Sequence, residues 1–277
     1  QLRSQRKTPK QIVKQIHDWI TRKKIYQKDL ERMGERNSYS KTDTDATFMR
    51  MKDDYMKNGQ LKPGYNLQVA TENQYTLAYD VYPNPTDTKT LVPFLETITD
   101  QYFELPKHIV ADAGYGSEVN YQNVLETHER IPLITYNMYR KEGKKKFQQD
   151  PTKTSNWTYD EKTDSYICPN EKQLTYQYDA SRKDRSDYIR TFKVYQCEDC
   201  SNCPIRSLCT KAAEGTHRKL YVNTKWEQQK LYIRQKLSEP KTAEIYRQRK
   251  IDVEPVFGFL KANLGFTRFS VRGKSKV

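Results

Sequence analysis

The stretch of residues 107–115 reads K-H-I-V-A-D-A-G-Y, and it constrains the fold of this chain more than any other. Residues 109–111 form a short apolar run with two β-branched side chains, which predicts a buried strand. Asp112 follows directly, and Gly114 allows the chain to turn sharply there. The sequence thus predicts a carboxylate at the carboxyl end of an interior strand, where open α/β sheets bind their ligands. Because a charge at such a place needs a cation, a donor or water, Asp112 is either a functional acid or the cap of a turn or helix.

Hydrophobic periodicity on either side of this stretch predicts a mixed α/β fold. The predicted elements in chain order are a hairpin (65–82, with its turn at 71–73), a helix (86–98), the strand ending at Asp112, a helix (117–129) and a strand (131–136). This order of strands and helices indicates a mixed sheet with flanking helices. Thr86 or Asp87 is expected to cap the first helix, so Asp87 is predicted to be a cap and not a metal ligand.

The two ends of the chain carry its whole excess of positive charge. The formal net charge is +14. Residues 1–41 hold 12 basic and 4 acidic side chains, and residues 241–277 hold 9 basic and 3 acidic ones. This distribution favours a polyanionic partner, above all nucleic acid, over a basic protein whose charge serves only solubility. No apolar run approaches bilayer length and no signal peptide opens the chain, so we expect no membrane partner and a cytoplasmic location.

The N-terminal third is predicted to be helical and then irregular. Residues 8–36 have helical periodicity, with a basic stretch at 22–24 off the apolar stripe that either follows phosphate groups or faces solvent. Residues 37–63 are polar and turn-rich, with a short helix expected at 48–56. Because the chain opens without Met inside a basic helical pattern, we expect an N-terminal truncation. The charged run at 140–146 indicates an exposed loop or a contact with phosphates.

All cysteines of the chain fall within 42 residues, at Cys168, Cys197, Cys200, Cys203 and Cys209. Bunched thiols without a secretory signal favour a metal over disulfides. Four thiolates can surround Zn²⁺, and the preferred set is Cys168, Cys197 or Cys200, Cys203 and Cys209. An iron–sulfur cluster or free reduced thiols are the alternatives, although the last spacing departs from the usual iron–sulfur run. In each case the segment of about 150–220 is expected to form a small inserted module.

A second candidate acid lies near the C-terminus. Pro240 is expected to end one helix, and a new helical pattern runs from about residue 242. Lys250, Glu254 and Lys261 fall on one stripe of that pattern. Such an acid could hold a metal while the bases bind phosphate, or the three could form a surface ion-pair ladder. Pro255 predicts a kink or a restart of the helix at Glu254.

The C-terminal tail alternates aromatic and basic residues, as nucleic-acid contacts often do. Its members are Phe266, Arg268, Phe269, Arg272 and Lys274. Together with Arg247, Arg249 and Lys250 upstream, the tail residues Arg268 and Arg272 are the predicted DNA-binding side chains.

Five stretches taken together carry a family resemblance. They are T-D-T-D-A-T-F-M (42–49), K-P-G-Y-N-L-Q-V-A (62–70), V-A-D-A-G-Y-G-S-E (110–118), the cysteine cluster (168–209) and V-E-P-V-F-G-F-L-K (253–261). With these stretches the chain resembles the DDE transposases of bacterial insertion sequences, in particular the cysteine-rich group called IS-eleven-eighty-two. The order of the A-D-A-G-Y and V-E-P-V-F-G elements, with cysteines between them, is the most specific part of the resemblance.

The resemblance implies an α/β fold with a ribonuclease-H-like mixed sheet, flanking helices and a cysteine-rich insertion before the last core helix. The implied division is a basic helical segment (1–45), the first part of the core (46–145), a zinc-binding insertion (146–225) and the helices and basic tail that complete the core (226–277). We expect a homodimer that binds double-stranded DNA, both the element ends and the target. We expect it to act in the bacterial nucleoid.

The resemblance also implies a two-metal transfer of DNA strands at insertion-sequence ends, with Mg²⁺ or Mn²⁺ at Asp112 and Glu254 and with Lys261 as the following basic residue. Tyr246 and Arg249 or Lys250 approximate a Tyr and an Arg that precede the Glu. The first Asp of the family belongs on a strand before residue 65 that this sequence lacks, so the chain is expected to be a fragment of doubtful activity. A non-catalytic, zinc-stabilised DNA-binding protein and a nuclease of the same fold are the alternatives.

Overall fold

The computed structural model describes residues 8–51, 58–184, 187–266 and 268–277. The chain forms two units, a first unit of Gln1–Thr97 with Asp252–Val277 and a second unit of Ile98–Ile251. Helices and strands occur in both, which confirms a mixed α/β fold class. In the part of the chain that the structure describes, no helix has the length and apolar character needed to cross a bilayer.

The first unit contains a long helix, two short strand pairs and a second helix that extends past residue 97. Its elements are α1 (Pro9–Met33), β1 (Thr47–Arg50), β2 (Leu61–Gly64), β3 (Asn66–Glu72), β4 (Tyr75–Tyr82) and α2 (Leu91–Gln101). Helix α1 begins with a capping box, in which the Thr8 side chain accepts from the Gln11 backbone and the Gln11 side chain accepts from Thr8. Pro9 stands at the first helical position, as the sequence predicts.

The β3–β4 hairpin is confirmed, but its turn lies two residues later than expected. The strands stay paired as far as Glu72 and Tyr75. The turn consists of Asn73 and Gln74, whose φ angles of 49° and 68° are both positive. A two-residue turn of this kind matches the right-handed twist of the flanking strands, which is why it is preferred over the turn at 71–73.

The short helix expected at 48–56 was wrong where it can be compared. Residues Thr47–Arg50 form β1, which pairs antiparallel with β2 from Thr47 opposite Gly64 to Arg50 opposite Leu61. Residues 52–56 of the expected helix lie outside the described residues. The pairing of two segments more than ten residues apart outweighs the local helical preference of a short segment.

The second unit combines a parallel strand pair, an antiparallel sheet and two long helices, of which the last continues past residue 251. Its elements are β5 (His108–Ala111), α3 (Glu118–Gln122), β6 (Ile131–Ile134), α4 (Tyr139–Glu142), α5 (Lys145–Gln148), β7 (Thr158–Asp160), β8 (Ser165–Ile167), β9 (Gln173–Lys183), β10 (Ile189–Cys197), α6 (Arg206–Cys209), β11 (Lys219–Val222), α7 (Thr224–Ser238) and α8 (Pro240–Gly258).

Strands β5 and β6 are the predicted strands on either side of the Asp112 loop. They pair in parallel, from His108 opposite Ile131 to Ala111 opposite Ile134. Leu133, Ile134 and the side chain of Tyr121 are fully buried in this part of the unit. Within the described part of this unit, β5 and β6 form a two-stranded sheet of their own.

The antiparallel sheet has the strand order β11-β10-β9-β8-β7. Its apolar cluster contains Trp157, Leu174, Tyr195, Cys197, Cys200 and Leu220. Glu118 of α3 ties the sheet to the rest of the second unit. Its carboxylate accepts hydrogen bonds from Asn223 Nδ2 at 2.6 Å and Tyr188 Oη at 3.1 Å, and it lies 3.5 Å from Arg190 Nε.

Helix α8 departs from the expected kink at Glu254. Pro240 separates α7 from α8 as expected, but α8 then continues through Pro255 to Gly258. A π-helical turn, Phe259–Asn263, follows it. Pro255 removes only the hydrogen bond to the Ile251 carbonyl. Because Ile251 and Pro255 are both exposed, water can replace that donor and the helix need not break.

Candidate functional site

Asp112 lies directly after β5, as the sequence predicts, and its side chain is exposed. Its Oδ1 atom accepts a 2.7 Å hydrogen bond from the Gly114 backbone N–H. The backbone turns at this point, with Tyr115 N donating to the Asp112 carbonyl at 3.3 Å. Asp112 therefore caps its own turn, and the capping leaves the rest of its carboxylate open to a ligand.

A glycine is required sterically at Gly116, close to this turn. A Cβ atom on Gly116 would stand 2.3 Å from the Thr135 carbonyl oxygen and 2.8 Å from Tyr136 Cα. Only a residue without a side chain allows the Asp112 loop to approach the end of β6 so closely.

A pocket of about 290 Å³ opens beside Asp112 within the second unit. It is lined by Asp112, Ala113, Gly114, Thr135, Tyr136, Asn137, Tyr139, Arg140, Tyr246 and Arg249. Its charged groups are one carboxylate and two guanidiniums. Such a pocket is suited to a phosphate group next to the carboxylate, since guanidinium binds phosphate through paired hydrogen bonds.

Arg249 is the cation of this pocket that is held in place. Its side chain is half-buried, its Cζ atom lies 5.9 Å from the Tyr246 ring centroid, and its buried Nε atom has no hydrogen-bond partner within the described chain. The Tyr246 hydroxyl lies 3.0 Å from Thr135 Oγ1 at the end of β6. Helix α8 and strand β6 thus meet at the pocket, with a buried donor left unsatisfied there.

Glu142 of α4 fixes another wall of the pocket. It accepts hydrogen bonds of 2.7 Å from Tyr136 Oη and from Arg234, and Lys230 Nζ lies at 3.8 Å. Burial raises the pKa of Glu142, but the hydrogen bonds from Tyr136 and Arg234 and the charges of Lys230 and Arg234 outweigh it, so the pKa is lowered overall. This network holds Tyr136 and positions α4, which carries the pocket residues Tyr139 and Arg140.

Sequence reasoning missed Thr135 and Tyr139 as pocket residues and treated Arg140 as part of a charged loop. The signal for Thr135 was available, because it follows β6 as Asp112 follows β5. Residues that follow two paired parallel strands lie at the same edge of the sheet. Tyr139 and Arg140 follow β6 by a few residues on α4, and their placement depends on the Glu142 network.

Apart from the half-buried Arg249, the predicted metal-binding and basic residues of α8 and the following turn are exposed, namely Arg247, Lys250, Glu254 and Lys261. Glu254 and Lys261 belong to the first unit, whereas Asp112 and Lys250 belong to the second. No salt bridge joins Glu254 to Lys261 in the described structure, so this part of the expected ion-pair ladder is absent. Arg247 is exposed as well, and its Nε donates to the Ala243 carbonyl at 3.3 Å.

The C-terminal tail is only partly free for nucleic-acid contacts. Arg268 and Arg272 are exposed. Phe269 packs edge-on against Tyr65, at 5.9 Å between ring centroids, and against Phe266 at 5.3 Å. The expectation that aromatic and basic tail residues act together is therefore corrected, since Phe269 contributes to packing within the first unit.

Two acids of the 37–63 segment hold this tail in place. Asp43 accepts from the Gly273 backbone at 3.2 Å and from Tyr65 Oη at 2.9 Å. Asp45 accepts from the Lys274 backbone at 2.9 Å, and Lys274 Nζ lies 3.8 Å from Asp80. These contacts show that Lys274 is engaged by carboxylates within its own unit.

Asp87 lies in the first turn of a 3₁₀ helix, Asp87–Lys89, whose N-cap position is Thr86, and Thr86 makes no side-chain capping hydrogen bond. The Asp87 Oδ1 atom accepts from Asn66 Nδ2 at 2.8 Å, so the carboxylate joins this turn to β3 and the expected cap is not formed.

The cysteines converge on one pocket, but the structure does not support the expected zinc site. Cys168, Cys197, Cys200, Cys203 and Cys209 all line that pocket, and all are free thiols. Within residues 8–51, 58–184, 187–266 and 268–277, no group of three or more His, Cys, Asp or Glu side chains could hold a metal ion.

The reason lies in how the thiols pack. Cys197 and Cys200 belong to the apolar cluster of the antiparallel sheet. Burial, followed by a hydrogen bond with Cys200, raises the pKa of Cys197 to about 12. The Cys200 sulfur accepts from the Arg218 backbone at 3.2 Å. The buried thiols of Cys197 and Cys200 thus pack as small apolar residues within this cluster.

Comparison with known protein families gives one match. A family model described as "Transposase DDE domain" matches residues 167–277, which include Arg249, Glu254 and Lys261. No curated protein and no solved structure was found to match the chain. The match supports a DDE transposase, and Asp112 lies outside the matched segment.

Proposed function

We propose that this protein is a DDE transposase of a bacterial insertion sequence, of the cysteine-rich IS-eleven-eighty-two group, which cleaves and transfers DNA strands at the ends of its element. The observation that carries the proposal is the pocket that is lined both by the exposed Asp112 carboxylate, at a strand end, and by Arg249. The family match to residues 167–277 supports it from an independent part of the chain.

Asp112 and Glu254 are the proposed ligands of Mg²⁺ or Mn²⁺, because hard divalent cations take carboxylate oxygen. The family implies use of a divalent metal in general. When bound, two such ions would activate the attacking oxygen and stabilise the leaving oxygen of a displacement at phosphorus. Two carboxylates are assigned here and no third, so we expect DNA binding by this chain and only weak cleavage.

The chain's own cations orient the DNA in this proposal. Arg249 and Arg140 hold a phosphate in the pocket beside Asp112, and Lys261 supplies a further positive charge near Glu254 in sequence. The exposed residues Arg247, Lys250, Arg268 and Arg272 are proposed to contact the backbone of double-stranded DNA, both element ends and target. A protein of this kind would act at the bacterial nucleoid.

We propose the same domain organisation that the sequence predicts. It comprises the basic helical segment (1–45), the first part of a ribonuclease-H-like core (46–145), the cysteine-rich insertion (146–225) and the C-terminal helices with the basic tail (226–277). The antiparallel sheet β7–β11 lies within the third of these segments.

We further propose that the protein acts on DNA as a homodimer. Helix α1 supports this, because none of its residues is buried in its unit. Ile16, Trp19, Lys23, Tyr26 and Leu30 follow one another at alternating spacings of three and four. That is the heptad spacing of a two-stranded coiled coil, and a single Lys on the seam is a known device for fixing register.

Nicking of DNA that contains the element end, measured with Mg²⁺, tests the catalytic proposal. Asp112→Ala and Glu254→Ala should each abolish the residual nicking of the wild-type chain while DNA binding persists. Asp100→Ala, which removes an exposed acid on α2, is the matched control and should nick as the wild type does. If neither Asp112→Ala nor Glu254→Ala changes any metal-dependent activity, the protein is a non-catalytic DNA-binding protein instead.

A further inference from the structure

The antiparallel sheet of the second unit presents a face on which cations lie over aromatic rings. Residues directly opposite each other in antiparallel strands share a face. One row of this face runs across β9, β10 and β11, where Tyr178, Val194 and Tyr221 are opposite one another. Every second residue of a strand points to the same face, so this face also carries Phe192, Arg182 and Lys219. Arg182, Lys219, Tyr178 and Tyr221 are exposed.

The rings of this face hold two cations in place without neutralising them. Arg182 Cζ lies 4.4 Å from the Tyr221 ring centroid and 5.4 Å from that of Phe192. Lys219 Nζ lies 5.6 Å from the Tyr178 ring centroid. A cation–π contact restricts the side chain but leaves its full positive charge and its N–H donors available to an anion.

No acid balances these two cations. The only acid in β9, β10 and β11 is Asp179, which is opposite Lys193 and therefore lies on the other face. Within the described residues neither Arg182 nor Lys219 forms a salt bridge. Arg190 shares their face, but it is already paired with Glu118 and Asp184.

The other cations of the same strands are paired. Lys183, the next residue along β9, lies 2.8 Å from Asp187, and Lys193 of β10 lies 3.4 Å from Asp164. Arg182 and Lys219 are thus the cations of these three strands that have no acid partner among the described residues, and both lie on the ring-bearing face. This arrangement favours a ligand with repeated negative charge at the ring-bearing face.

We infer that this face, defined by Arg182, Lys219, Tyr178, Phe192 and Tyr221, binds the phosphate backbone of DNA at a place separate from the Asp112 pocket residues. The inference rests on the proposed function, which supplies DNA as the partner. Both cations lie on the same face of the sheet and can contact backbone phosphates, which carry no sequence information.

The test is the salt dependence of binding of a labelled duplex of unrelated sequence, with the full chain. Each phosphate contact contributes about 0.9 to the slope of log K against log salt concentration. The double variant Arg182→Ala/Lys219→Ala should lower the magnitude of the slope by about 2 relative to wild type and weaken binding at low salt. The matched control is Lys172→Ala/Lys183→Ala, which removes two cations of the same module that are paired with Glu198 and Asp187.

The control double variant is expected to keep the wild-type slope. Equal slopes for wild type and Arg182→Ala/Lys219→Ala overturn the inference, and so does an equal loss in both double variants, which would report net charge alone. A thermal unfolding midpoint close to that of wild type shows that the variant is folded. Arg182→Gln/Lys219→Gln gives a second variant, which removes both charges but keeps a polar side chain at each position.

Failure of this inference can be told apart from failure of the proposed function. If wild type binds DNA and Asp112→Ala abolishes its nicking, while Arg182→Ala/Lys219→Ala binds as wild type does, the sheet face is wrong and the transposase proposal stands. If the wild-type chain binds no DNA at any salt concentration, both are wrong.

Discussion

At the scale of single residues, Gly116 is the position where the candidate site depends most on backbone shape. A Cβ there would overlap the Thr135 carbonyl oxygen. We expect Gly116→Ala to lower the free energy of unfolding by about 1–3 kcal/mol, because the loop or β6 must shift to make room. Urea unfolding measures this change in the free energy of unfolding. The nicking rate should also fall, because the Asp112 loop moves away from the pocket.

Gly258→Ala is the control for this substitution. Gly258 ends α8, and a Cβ there would meet no atom within 4 Å. The control should leave the free energy of unfolding unchanged or raise it by less than about 1 kcal/mol, since Ala is the better helix former. Equal destabilisation by both substitutions would contradict the steric argument.

The thiol of Cys197 provides a second prediction for a single residue. It is 4% exposed within an apolar cluster, so Cys197→Ala should lower the free energy of unfolding by about 1 kcal/mol. Cys203→Ala, outside that cluster, should cost less. A chelator should leave the unfolding midpoint of the wild type unchanged, because the thiols pack as apolar groups. A drop in the midpoint on chelation, with about one zinc per chain by elemental analysis, would restore the zinc site.

The residues of the candidate site were only partly predictable from the sequence. Asp112 was found because an apolar run that ends in an acid indicates a buried strand with a carboxylate at its carboxyl end. Thr135 could have been found by the same reasoning, since it follows β6 as Asp112 follows β5, but Tyr139 and Arg140 could not, because their placement depends on the Glu142 network. The steric need for glycine at Gly116 was not predictable either, because it exists only once β6 is in place.

At the scale of elements, Glu142 makes the contact between α4 and α7 sensitive to pH. Its pKa is lowered in the folded protein, so its stabilising contribution is present above its unfolded pKa, about 4.3, and is lost as the pH falls through the folded value. Glu142→Gln should therefore lower the free energy of unfolding by about 1–2 kcal/mol at pH 7, and the difference from wild type should shrink below about pH 4.

Chemical unfolding across a pH series measures this difference. The control is Glu104→Gln, which removes the partner of Arg130 in an ion pair whose acid is 88% exposed. Exposed pairs contribute little, so this control should differ from wild type by less than about 1 kcal/mol at every pH. A Glu142→Gln effect that stays constant down to pH 3 would show that packing, and not charge, is responsible.

Local signals predicted the elements where they agreed with long-range pairing. The hairpin of β3 and β4 and the strand β5 were each confirmed. The helix expected at 48–56 failed because β1 pairs with β2, and the kink expected at Pro255 failed because exposed α8 can lose one hydrogen bond. In both cases the outcome depends on a hydrogen-bond partner outside the local segment. The partner is another strand for β1 and water for α8, and a local sequence pattern carries no information about either.

At the scale of the whole molecule, the proposed homodimer makes a prediction about mass in solution. The chain has a mass of 32.9 kDa, and light scattering should give twice that value for the wild type. Ile16→Lys/Leu30→Lys should give the monomer mass. The two new lysines on the heptad seam would face the same lysines of the partner helix and repel them, and the apolar contacts of Ile16 and Leu30 would be lost. A variant that stays dimeric would place the dimer contact elsewhere than on α1.

The matched control for that variant adds the same charge to α1 off the seam. Thr21→Lys/Ile25→Lys changes two positions outside the series Ile16, Trp19, Lys23, Tyr26 and Leu30, and it also removes one exposed isoleucine. It should keep the dimer mass, since a residue off the seam does not enter the partner helix. If both variants become monomeric, added charge alone separates the copies and the seam has no special role. If only the seam variant does, the same pair of proteins shows whether dimerisation strengthens DNA binding, because the two carry identical net charge.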